Sequence, residues 1–537
     1  MRSLKTVAGF GLNSDASRLL NWRFNLSPEF THVGLNGVSL RNPLMEVVWY
    51  KRDLRTFDHA PLVNAAAGGE VLALYVVEPG YWQLSDTSLR QWLFVEDCLI
   101  SLRSELERLG LTLTIRIGET VSVLEALHNE MNITQLHSHQ ETGNMWTFKR
   151  DMAVKNWCKD RGITWKVERQ HGVIRGLKSR DGWSKRWDEF MSHQKFNTPK
   201  LISSARVMPS DKMPKAKELC ANTIVCGDIQ PGGRPEGLKL LESFLSGRGV
   251  SYQRGMSSPN TAFDSCSRLS AHLSYGTLSI REVFQATVRR VKILRECGSA
   301  RQGEWLRSLR AFQSRLHWHC HFIQKLENSP QFEFENVHAS YIGIRSESSP
   351  RKDHLEAWIN GRTGFPFIDA CMRALRSNGW INFRARAMLQ SFASYHLWIH
   401  WRFSGVLLAQ LFTDYEPGIH WNQVQMQSGT TGVNLARIYN PLKQGRDQDP
   451  EGKFIKKWIP ELERLPSELI HEPWLMTDME QKLHGCVIGK NYPAPMVDHV
   501  QAAKEARTKI YKVRQTNGWR ENRDAILEKH GSRKGKS

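Results

Sequence analysis

Apolar residues follow two different periods in the two halves of the chain. Between residues 45 and 170, short apolar runs alternate with amphipathic stretches, notably Ser88–Leu109 and Trp146–Arg161. The apolar runs predict five strands, at Glu46–Tyr50, Val71–Val77, Leu111–Ile117, Gln135–His139 and Thr164–Arg169. Because strands alternating with helices form parallel sheets, this half predicts a doubly wound α/β domain.

From Gly237 onward the period becomes helical. One apolar face recurs at spacings of three and four residues in Phe367, Ile368, Cys371, Met372 and Leu375. Asn378 and Gly379 then predict a left-handed cap that ends this helix. A second helix is predicted from about Ile381 to Arg402. The second half is therefore expected to be all-α.

Two arginines, Arg384 and Arg386, fall near the start of that second helix. Positive charge at a helix N-terminus opposes the macrodipole, so a carboxylate or an anionic ligand is expected to face them. Asp414 and Glu416, in a polar turn, are the candidate partners. A structural salt bridge holding a loop is the simpler alternative.

A chain of 537 residues is too long for one core. We expect an N-terminal extension over 1–44, an α/β domain over 45–170, a linker over 171–236, a helical domain over 237–500 and a basic tail over 501–537. The extension has no apolar stretch typical of a secretory signal. A transit peptide, a disordered arm and an over-extended start all stay open for it, and disorder is favoured. The linker is expected to pack across both domains, and the tail to be a solvated, charged helix with a frayed end.

The net charge of +20 indicates a polyanionic partner, nucleic acid before an anionic membrane. No apolar run is long enough to cross a bilayer, so we expect a soluble protein. Nine cysteines without a framework predict reduced thiols. His317 and His321 lie one helical turn apart, but their aromatic setting favours packed histidines over a metal site.

Several motifs, in order and spacing, resemble the photolyase/cryptochrome family over about Met45 to Leu465. They are Arg362–Pro366, Ile368–Ala370, Met372-Arg373, Gly379-Trp380, Arg384-x-Arg386, Arg437–Pro441 and Asp449–Gly452. Only Cys486 follows Cys371, so the chain lacks the cysteines of the iron–sulfur branch of that family. The resemblance implies an α/β antenna domain joined to an all-α FAD-binding domain.

The turn after the first strand, Lys51–Arg55, resembles the opening motif of photolyase antenna domains and follows Trp49 as it does there. No Gly-x-Gly-x-x-Gly pattern follows this strand, which argues against dinucleotide binding. The resemblance implies a second chromophore, a folate, a deazaflavin or a similar group, whose identity stays open.

Hydroxyl residues before a helix usually form an N-cap, but here they resemble the family's clamp on the flavin diphosphate. Cys266 stands where many members have Thr. Arg386 is expected to pair with Asp414 beside the flavin ring, with Glu416 near its polar edge. The residues implied for FAD binding are Tyr252, Cys266, Ser267, Arg268, Leu269, Ser270, Arg315, Arg386, Asp414 and Glu416.

The resemblance also implies a residue facing flavin N5 and a chain of tryptophans for photoreduction. The family's N5 residue is usually Asn; two alignments place either His420 or Asn422 there. Trp401 matches the middle tryptophan, Trp421 is the candidate nearest the flavin, and Trp398 is a candidate extension with core packing as its alternative. No Trp occupies the usual outer position between residues 333 and 352.

The lesion pocket departs from both well-known repair types. The (6-4) photolyases carry a histidine pair where this chain has Asn382 and Ala387, and Ala387 also takes the Met position of cyclobutane-dimer photolyases. Val424 takes the position of the second Trp that cyclobutane-dimer photolyases often place against the lesion. The expected substrate contacts are Trp318, Asn382, Phe383, Arg384 and Met388. The chain thus resembles a divergent subgroup.

The resemblance implies an FAD-dependent, blue-light-driven DNA photolyase, a carbon–carbon lyase that repairs pyrimidine dimers, of the cyclobutane type, by electron transfer from reduced flavin. The alternative is a cryptochrome-like photoreceptor without repair activity. A third hypothesis is a light-independent flavoprotein that binds nucleic acid. We expect a monomer that binds DNA and no membrane. The expected localisation is the cytoplasm or nucleoid of a bacterium, or an organelle or nucleus if the N-terminal extension is a targeting signal.

Overall fold

The computed structural model describes residues 45–204, 208–222, 227–298, 300–348 and 350–531. The predicted extension over 1–44 lies outside these residues. Within them, we find no helix that combines the length and the apolar character needed to cross a bilayer.

The five predicted strands are confirmed to within three residues at each end. They are β1 (Met45–Tyr50), β2 (Glu70–Val77), β3 (Leu113–Ile117), β4 (Ile133–His139) and β5 (Thr164–Glu168). All neighbours pair in parallel in the order β3-β2-β1-β4-β5. Every residue of β1 is buried, as expected for a central strand covered on both faces. The doubly wound prediction is therefore confirmed.

Five helices belong to this sheet: α1 (Ala60–Ala66), α2 (Pro79–Trp82), α3 (Leu89–Glu107), α4 (Thr120–Met131) and α5 (Met145–Asp160). The chain leaves β1 toward β2 on one side, whereas β4 lies on the other side. The carboxyl ends of β1 and β4 therefore flank the switch point, where doubly wound sheets usually open a ligand crevice.

The remaining helices follow in chain order; α6 and α7 lie between the domains, and the others build the all-α half. They are α6 (Trp183–Ser192), α7 (Ala216–Leu219), α8 (Arg234–Ser246), α9 (Tyr252–Gly255), α10 (Pro259–Ser265), α11 (Ser270–Ser274), α12 (Ile280–Cys297), α13 (Gln302–Asn328), α14 (Lys352–Ile359), α15 (Pro366–Asn378), α16 (Phe383–Ser391), α17 (Trp401–Leu411), α18 (Pro417–Ser428), α19 (Pro441–Gln448), α20 (Lys453–Trp458), α21 (Asp478–His484), α22 (His499–Val513) and α23 (Trp519–His530). The largest apolar core lies around α15, whose predicted cap is present at Gly379 with φ of 66°.

The segment between the domains contacts both of them. Ser204 forms a parallel bridge with Val71 at the start of β2. Trp183 and Trp187 of α6 lie in one apolar cluster with Leu316 of α13. The segment therefore packs on the sheet and on the helical half.

The single helix expected from Ile381 to Arg402 is a wrong prediction. The structure has α16, a π-helical turn at Phe392–His396, and a separate α17 that begins at Trp401. Between them Trp398 takes φ of 53°, a left-handed conformation that a helix interior does not contain. Arg345, from a distant segment, donates to the Ser394 carbonyl at 2.9 Å. Apolar spacing along one helix cannot reveal such a partner.

The basic C-terminal segment also differs from the expected solvated helix. Ala506 and Ile510 of α22 are fully buried against Tyr341 and Tyr395. Trp519 of α23 stacks on His338, with ring centroids 5.3 Å apart. Both terminal helices are thus packed on the helical domain through an apolar face.

Candidate functional site

The predicted pairing of Arg386 with Asp414 is present as a two-pronged contact. Arg386 Nη1 and Nη2 donate to the two carboxylate oxygens of Asp414, both at 2.9 Å. Arg386 Nε donates to the Ile381 carbonyl at 2.7 Å, which fixes the plane of the fork. Burial raises the pKa of Asp414, but Arg386 and the Ser270 hydroxyl outweigh burial and hold it below its ordinary value. Asp414 is therefore an ionised acceptor at neutral pH.

The predicted clamp, residues 266–270, connects α10 to α11 and lies beside this pair. Arg268 has φ of 61°, a left-handed backbone conformation that few residues other than glycine adopt. Its guanidinium lies between two rings, 4.2 Å from Phe263 and 4.0 Å from Trp380. Arg268 Nη2 donates to Gln230 at 3.0 Å, whereas its buried Nη1 has no partner among the described residues. A buried donor without an acceptor indicates a place for a ligand acceptor.

Positive charge accumulates around the clamp. Burial, reinforced by the charge of Arg386, lowers the pKa of Arg268 to about 10. Arg248 Nη2 donates to the Ser267 carbonyl at 2.8 Å and adds a third guanidinium. Asp414, the carboxylate of this group, is already paired with Arg386. The remaining cationic charge suits a diphosphate.

Tyr252 and two further clamp residues, Leu269 and Cys266, lie in the same region. The Tyr252 phenol hydrogen-bonds to Arg315, while burial raises its pKa to about 12. Leu269 is buried and belongs to the apolar cluster that also contains Tyr252. Cys266, where a Thr was noted as usual, is half-buried, and burial raises the pKa of its thiol to about 11. The thiol is therefore neutral and a weak donor beside the clamp.

The two candidates for the flavin N5 position face different elements. His420 Nε2 donates to the Gly405 carbonyl at 2.8 Å, and its ring lies 5.2 Å from Tyr415. Burial lowers its pKa to about 4, and the charges of Arg386 and Asp414 also act on it. Asn422 Nδ2 donates to the carbonyl of Phe322 on α13, at 3.2 Å. His420 therefore lies on the side of the Arg386–Asp414 pair, and Asn422 lies on the α13 side.

The three candidate tryptophans differ in their surroundings. Trp401 and Trp421 are fully buried, with ring centroids 5.9 Å apart. Trp398 is half-buried between two cations, Arg345 at 4.5 Å and Lys509 at 4.7 Å from its ring. The first two form a contact pair, whereas the third belongs to the junction with α22.

The expected substrate contacts do not share one surface. Phe383 is 50% exposed at the start of α16. Next to it, the buried Nε of Arg384 has no partner among the described residues. Trp318, however, stacks on Phe322 of its own helix, with centroids 5.6 Å apart. Of the expected substrate contacts, Phe383 and Arg384 therefore lie together in the first turn of α16.

The other two expected substrate contacts, Met388 and Asn382, are buried in the protein interior. Met388 is 1% exposed within the largest apolar core. Asn382 Nδ2 donates to the backbone carbonyls of Met256 and Ser257, at 3.1 and 2.7 Å. Neither side chain is positioned to contact a substrate in this arrangement.

Sequence reasoning missed the partner of Glu416. Its carboxylate lies 3.3 Å from Arg52, a residue of the α/β domain. Arg52 belongs to the turn Lys51–Arg55, which the family resemblance links to an antenna chromophore. Nothing in the sequence shows that this turn contacts residue 416.

Sequence reasoning also missed a buried cluster of Asp53, His59 and His139. Asp53 Oδ2 accepts from His59 Nε2 at 3.0 Å and from His139 Nδ1 at 2.7 Å. The Leu62 backbone N–H donates to His59 Nδ1, so the His59 proton lies on Nε2, toward Asp53. The atoms that could bind a metal are thus engaged in a hydrogen-bonded network at the carboxyl ends of β1 and β4.

His317 and His321, the pair considered for a metal, have separate partners. His317 Nε2 bonds to the Ser184 hydroxyl at 2.8 Å. His321 Nδ1 accepts from Arg180 Nη2 at 2.5 Å. Burial lowers the pKa of His321 to about 2, which keeps it neutral.

Comparison with known families gives two matches, which are separated by residues 180–311. Residues 46–179 match the DNA photolyase family, and residues 312–512 match the FAD binding domain of DNA photolyase. The chain belongs to the photolyase/cryptochrome family. The chain therefore carries the α/β domain and the FAD-binding domain that the sequence predicted.

The relatives of this photolyase/cryptochrome-family chain include both branches. It is 27% identical over 484 residues to cryptochrome-1 of Spalax judaei, which covers 85% of this chain and 81% of the relative. A class III photolyase from Agrobacterium tumefaciens is 26% identical with a TM-score of 0.77, over 90% of this chain and 100% of the other. A Sulfolobus tokodaii photolyase, solved with two FAD molecules, is 25% identical with a TM-score of 0.68, over 87% and 100%.

Proposed function

We propose that the chain is an FAD-dependent, blue-light-driven DNA photolyase that splits cyclobutane pyrimidine dimers. The observation that carries the proposal is the cationic clamp around Arg268 beside the Arg386–Asp414 fork. The similarity to the Agrobacterium photolyase over its whole length supports it. The net charge of +20 suits a DNA substrate.

The residues present fit FAD. Arg268 offers a buried donor without an acceptor among the described residues, and the guanidiniums of Arg268, Arg248 and Arg386 lie at the clamp. Ser267, Leu269 and Ser270, with Arg268, would hold the diphosphate. Arg386, Asp414 and His420 would face the ring. The planar Arg386 guanidinium, held by two hydrogen bonds to Asp414, is suited to the polar edge of a flat heterocycle.

Bound reduced FAD, excited by blue light, would supply the electron that splits the dimer and would take it back. The protein positions and isolates this chemistry. His420 Nε2 donates to a backbone carbonyl, so its Nδ1 is an acceptor. Because its pKa is about 4, His420 stays neutral and places no positive charge beside the ring at neutral pH. Trp401 and Trp421 form the buried pair through which an electron would enter from the surface.

At the N-terminus of α16, Phe383 and Arg384 would meet the DNA. Phe383 is exposed and can fill the gap that a flipped dimer leaves in the duplex. Arg384 can neutralise a flanking phosphate. We place Trp318 beside the dimer only as a packing surface, because it already stacks on Phe322.

A second chromophore does not fit the crevice at the switch point. This crevice has a volume of about 40 Å³, close to that of one or two water molecules. Arg150 lines it, ion-paired with Glu78 at 2.9 Å and Glu141 at 2.6 Å, with its guanidinium 4.9 Å from the Trp49 ring. A flavin or deazaflavin would have to displace this network.

A cleft of about 220 Å³ between the two domains fits a folate better. Its lining includes the aromatic rings of Trp146, Phe334 and Trp421, and the carboxylates of Asp86 and Glu333. Burial raises the pKa of Glu333 to about 7. The rings can stack on a pterin, and the carboxylates can accept from its amino-pyrimidine edge.

A cryptochrome-like photoreceptor without repair activity is the second candidate. The similarity to cryptochrome-1 supports it, as does the burial of Met388 and Asn382 away from a lesion. In either role we propose a monomer that works where DNA is found, in a bacterial cytoplasm and nucleoid or in an organelle or nucleus.

The deciding experiment measures repair in the light. The purified protein, reduced and kept anaerobic, is illuminated with single- and double-stranded oligonucleotides that carry a cyclobutane dimer. We expect dimers to disappear in the light and to persist in the dark. A matched assay with a (6-4) lesion tests the lesion type. Flavin photoreduction without repair of either lesion would favour the cryptochrome role, and absence of bound flavin would contradict both.

A further inference from the structure

Arg52 reaches from the α/β domain into the candidate flavin site. It lies in the loop after β1, and its side chain is 12% exposed. Arg52 Nη2 donates to the Tyr415 carbonyl at 2.7 Å and lies 3.3 Å from the Glu416 carboxylate. Arg52 Nε donates to the Ser274 carbonyl at 2.9 Å. One guanidinium thus contacts both the carboxylate loop at 414–416 and the end of α11.

These two contacts join the segments that flank the proposed ring site. Helix α11 begins at Ser270, the last residue of the clamp, and ends at Ser274. The Ser274 hydroxyl donates to the Asp414 carbonyl at 3.2 Å, and the Ser270 hydroxyl bonds to the Asp414 carboxylate, so both link this segment directly to the loop. Arg52 adds a planar link across the same gap, and its guanidinium lies 5.1 Å from the Tyr275 ring.

The backbone around Arg52 is shaped for this approach. The Leu54 N–H donates to the Tyr275 carbonyl at 3.1 Å, and Gln170 Nε2 donates to the Arg52 carbonyl at 2.6 Å. Gly276, with φ of 67°, packs so closely that a Cβ there would overlap the Arg52 carbonyl. Any residue with a side chain at 276 would therefore push the two domains apart.

We propose that Arg52 is a positioning residue of the flavin site, which holds the clamp and the carboxylate loop in register from the other domain. This inference rests on the proposed FAD function. It assigns a role in the flavin site to a turn that sequence resemblance linked to the antenna chromophore.

The charges around Glu416 set the sign of the expected effect. Burial raises the pKa of Glu416, Arg52 lowers it, Glu141 raises it, and the Gly418 backbone N–H lowers it. On α13, His319 is held neutral, because burial and the charge of Arg52 lower its pKa to about 4. Removal of the Arg52 charge therefore raises the pKa of Glu416 further, so that Glu416 gains its proton at a higher pH.

The test compares Arg52→Gln, Arg52→Lys and Arg90→Gln. Arg90 is a matched control: it is buried, projects from α3 of the α/β domain, and donates to the carbonyls of Leu375 and Leu411, at 2.9 and 2.7 Å. For each protein, the Kd for FAD is measured by quenching of flavin fluorescence. The pH midpoint of the bound-flavin absorbance and the melting temperature without FAD are also measured.

We expect Arg52→Gln to raise the Kd for FAD by about tenfold or more, because a charged hydrogen-bond donor is lost. Its absorbance midpoint should move to higher pH. Arg52→Lys should keep the midpoint, since the charge remains, while it loses part of the affinity. Arg90→Gln should lower the melting temperature and leave both flavin properties unchanged. Glu416→Gln should abolish the midpoint.

Three results would overturn the proposal. Arg52→Gln could match the wild type in Kd and midpoint, it could weaken FAD binding without moving the midpoint, or Arg90→Gln could reproduce its flavin effects. If Arg52→Gln does not fold, Arg52→Lys carries the test, because an unchanged Kd in that variant would remove the positioning role. A wild-type protein that binds no FAD would instead contradict the proposed function itself.

Discussion

Trp401, Trp421 and Trp398 show how surroundings separate side chains of the same type. An indole that gives up an electron becomes positively charged, and a nearby cation opposes this charge. Two cations, Arg345 and Lys509, lie against the Trp398 ring. Trp401 instead donates its Nε1–H to the side-chain oxygen Oδ1 of Asn336, at 2.6 Å. The electrostatics favour Trp401 over Trp398 as an electron donor.

We therefore predict that Trp401→Phe slows flavin photoreduction by about tenfold or more, equivalent to a barrier increase of about 1.4 kcal/mol. Trp421→Phe should act in the same direction, since the two rings are in contact. The measurement is the loss of oxidised-flavin absorbance under constant blue light with excess reductant. Trp398→Phe is the matched control and should keep the wild-type rate. Equal slowing in all three variants would refute this order.

His420 shows how one hydrogen bond decides the chemistry of a side chain. With Nε2 bonded to the Gly405 carbonyl, the ring can only accept at Nδ1. An Asn side chain could both donate and accept. Whether His420 or Asn422 takes the flavin N5 position stays a prediction, and the direction of the His420 hydrogen bond depends on Gly405, which lies on α17.

At the scale of elements, the break between α16 and α17 depends on Arg345. This residue is 2% exposed and donates to the carbonyls of Ser394 and Ser428, at 2.9 and 3.0 Å. Burial lowers its pKa to about 10, which still leaves it charged at neutral pH. Arg345 thus donates to carbonyls of the π turn and of the end of α18, where the regular helical hydrogen bonds stop.

Arg345→Met should lower the free energy of unfolding by about 3 kcal/mol, because two buried carbonyls lose their donors while the apolar stem is kept. Urea unfolding followed by circular dichroism measures this change. Arg351→Met is the control: Arg351 forms an exposed ion pair with Asp353 at 2.8 Å. Its loss should cost less than about 1 kcal/mol. Similar losses in both variants would mean that Arg345 does not stabilise the break.

At the scale of the whole molecule, burial makes the surface more basic than the net charge of +20 suggests. Among the described residues, eleven carboxylates are buried against seven lysines and arginines. Networks such as Arg150 with Glu78 and Glu141 neutralise acids in the interior. The outer surface is therefore enriched in cations, which favours association with a phosphate backbone.

Binding to duplex DNA should weaken linearly with the logarithm of salt concentration, with a slope of about −0.9 for each phosphate neutralised. Fluorescence anisotropy at several salt concentrations measures the slope. Arg384→Met should make it shallower by about one unit. Arg161→Met should leave it unchanged, because Arg161 pairs with Glu125 on the α/β domain. A slope near zero in the wild type would contradict DNA binding through the phosphates.

The sequence by itself determined the elements and the family. Apolar periods depend on local spacing, so the five strands and α15 with its Gly379 cap were predicted closely. Motif order predicted the Arg386–Asp414 pair, which the structure contains, whereas the diphosphate clamp at residues 266–270 stays a prediction. The break at Trp398 was missed, because it depends on Arg345, about 50 residues away.

Tertiary structure alone decided the contacts between distant segments. It turned His420 toward Arg386 and Asn422 toward α13, and it buried Met388 in the core. It also brought Arg52 to Glu416, although 363 residues separate Arg52 from the neighbouring Tyr415. The physical reason is that a side chain's partners and burial depend on the packing of whole elements, which the local pattern of a sequence does not encode.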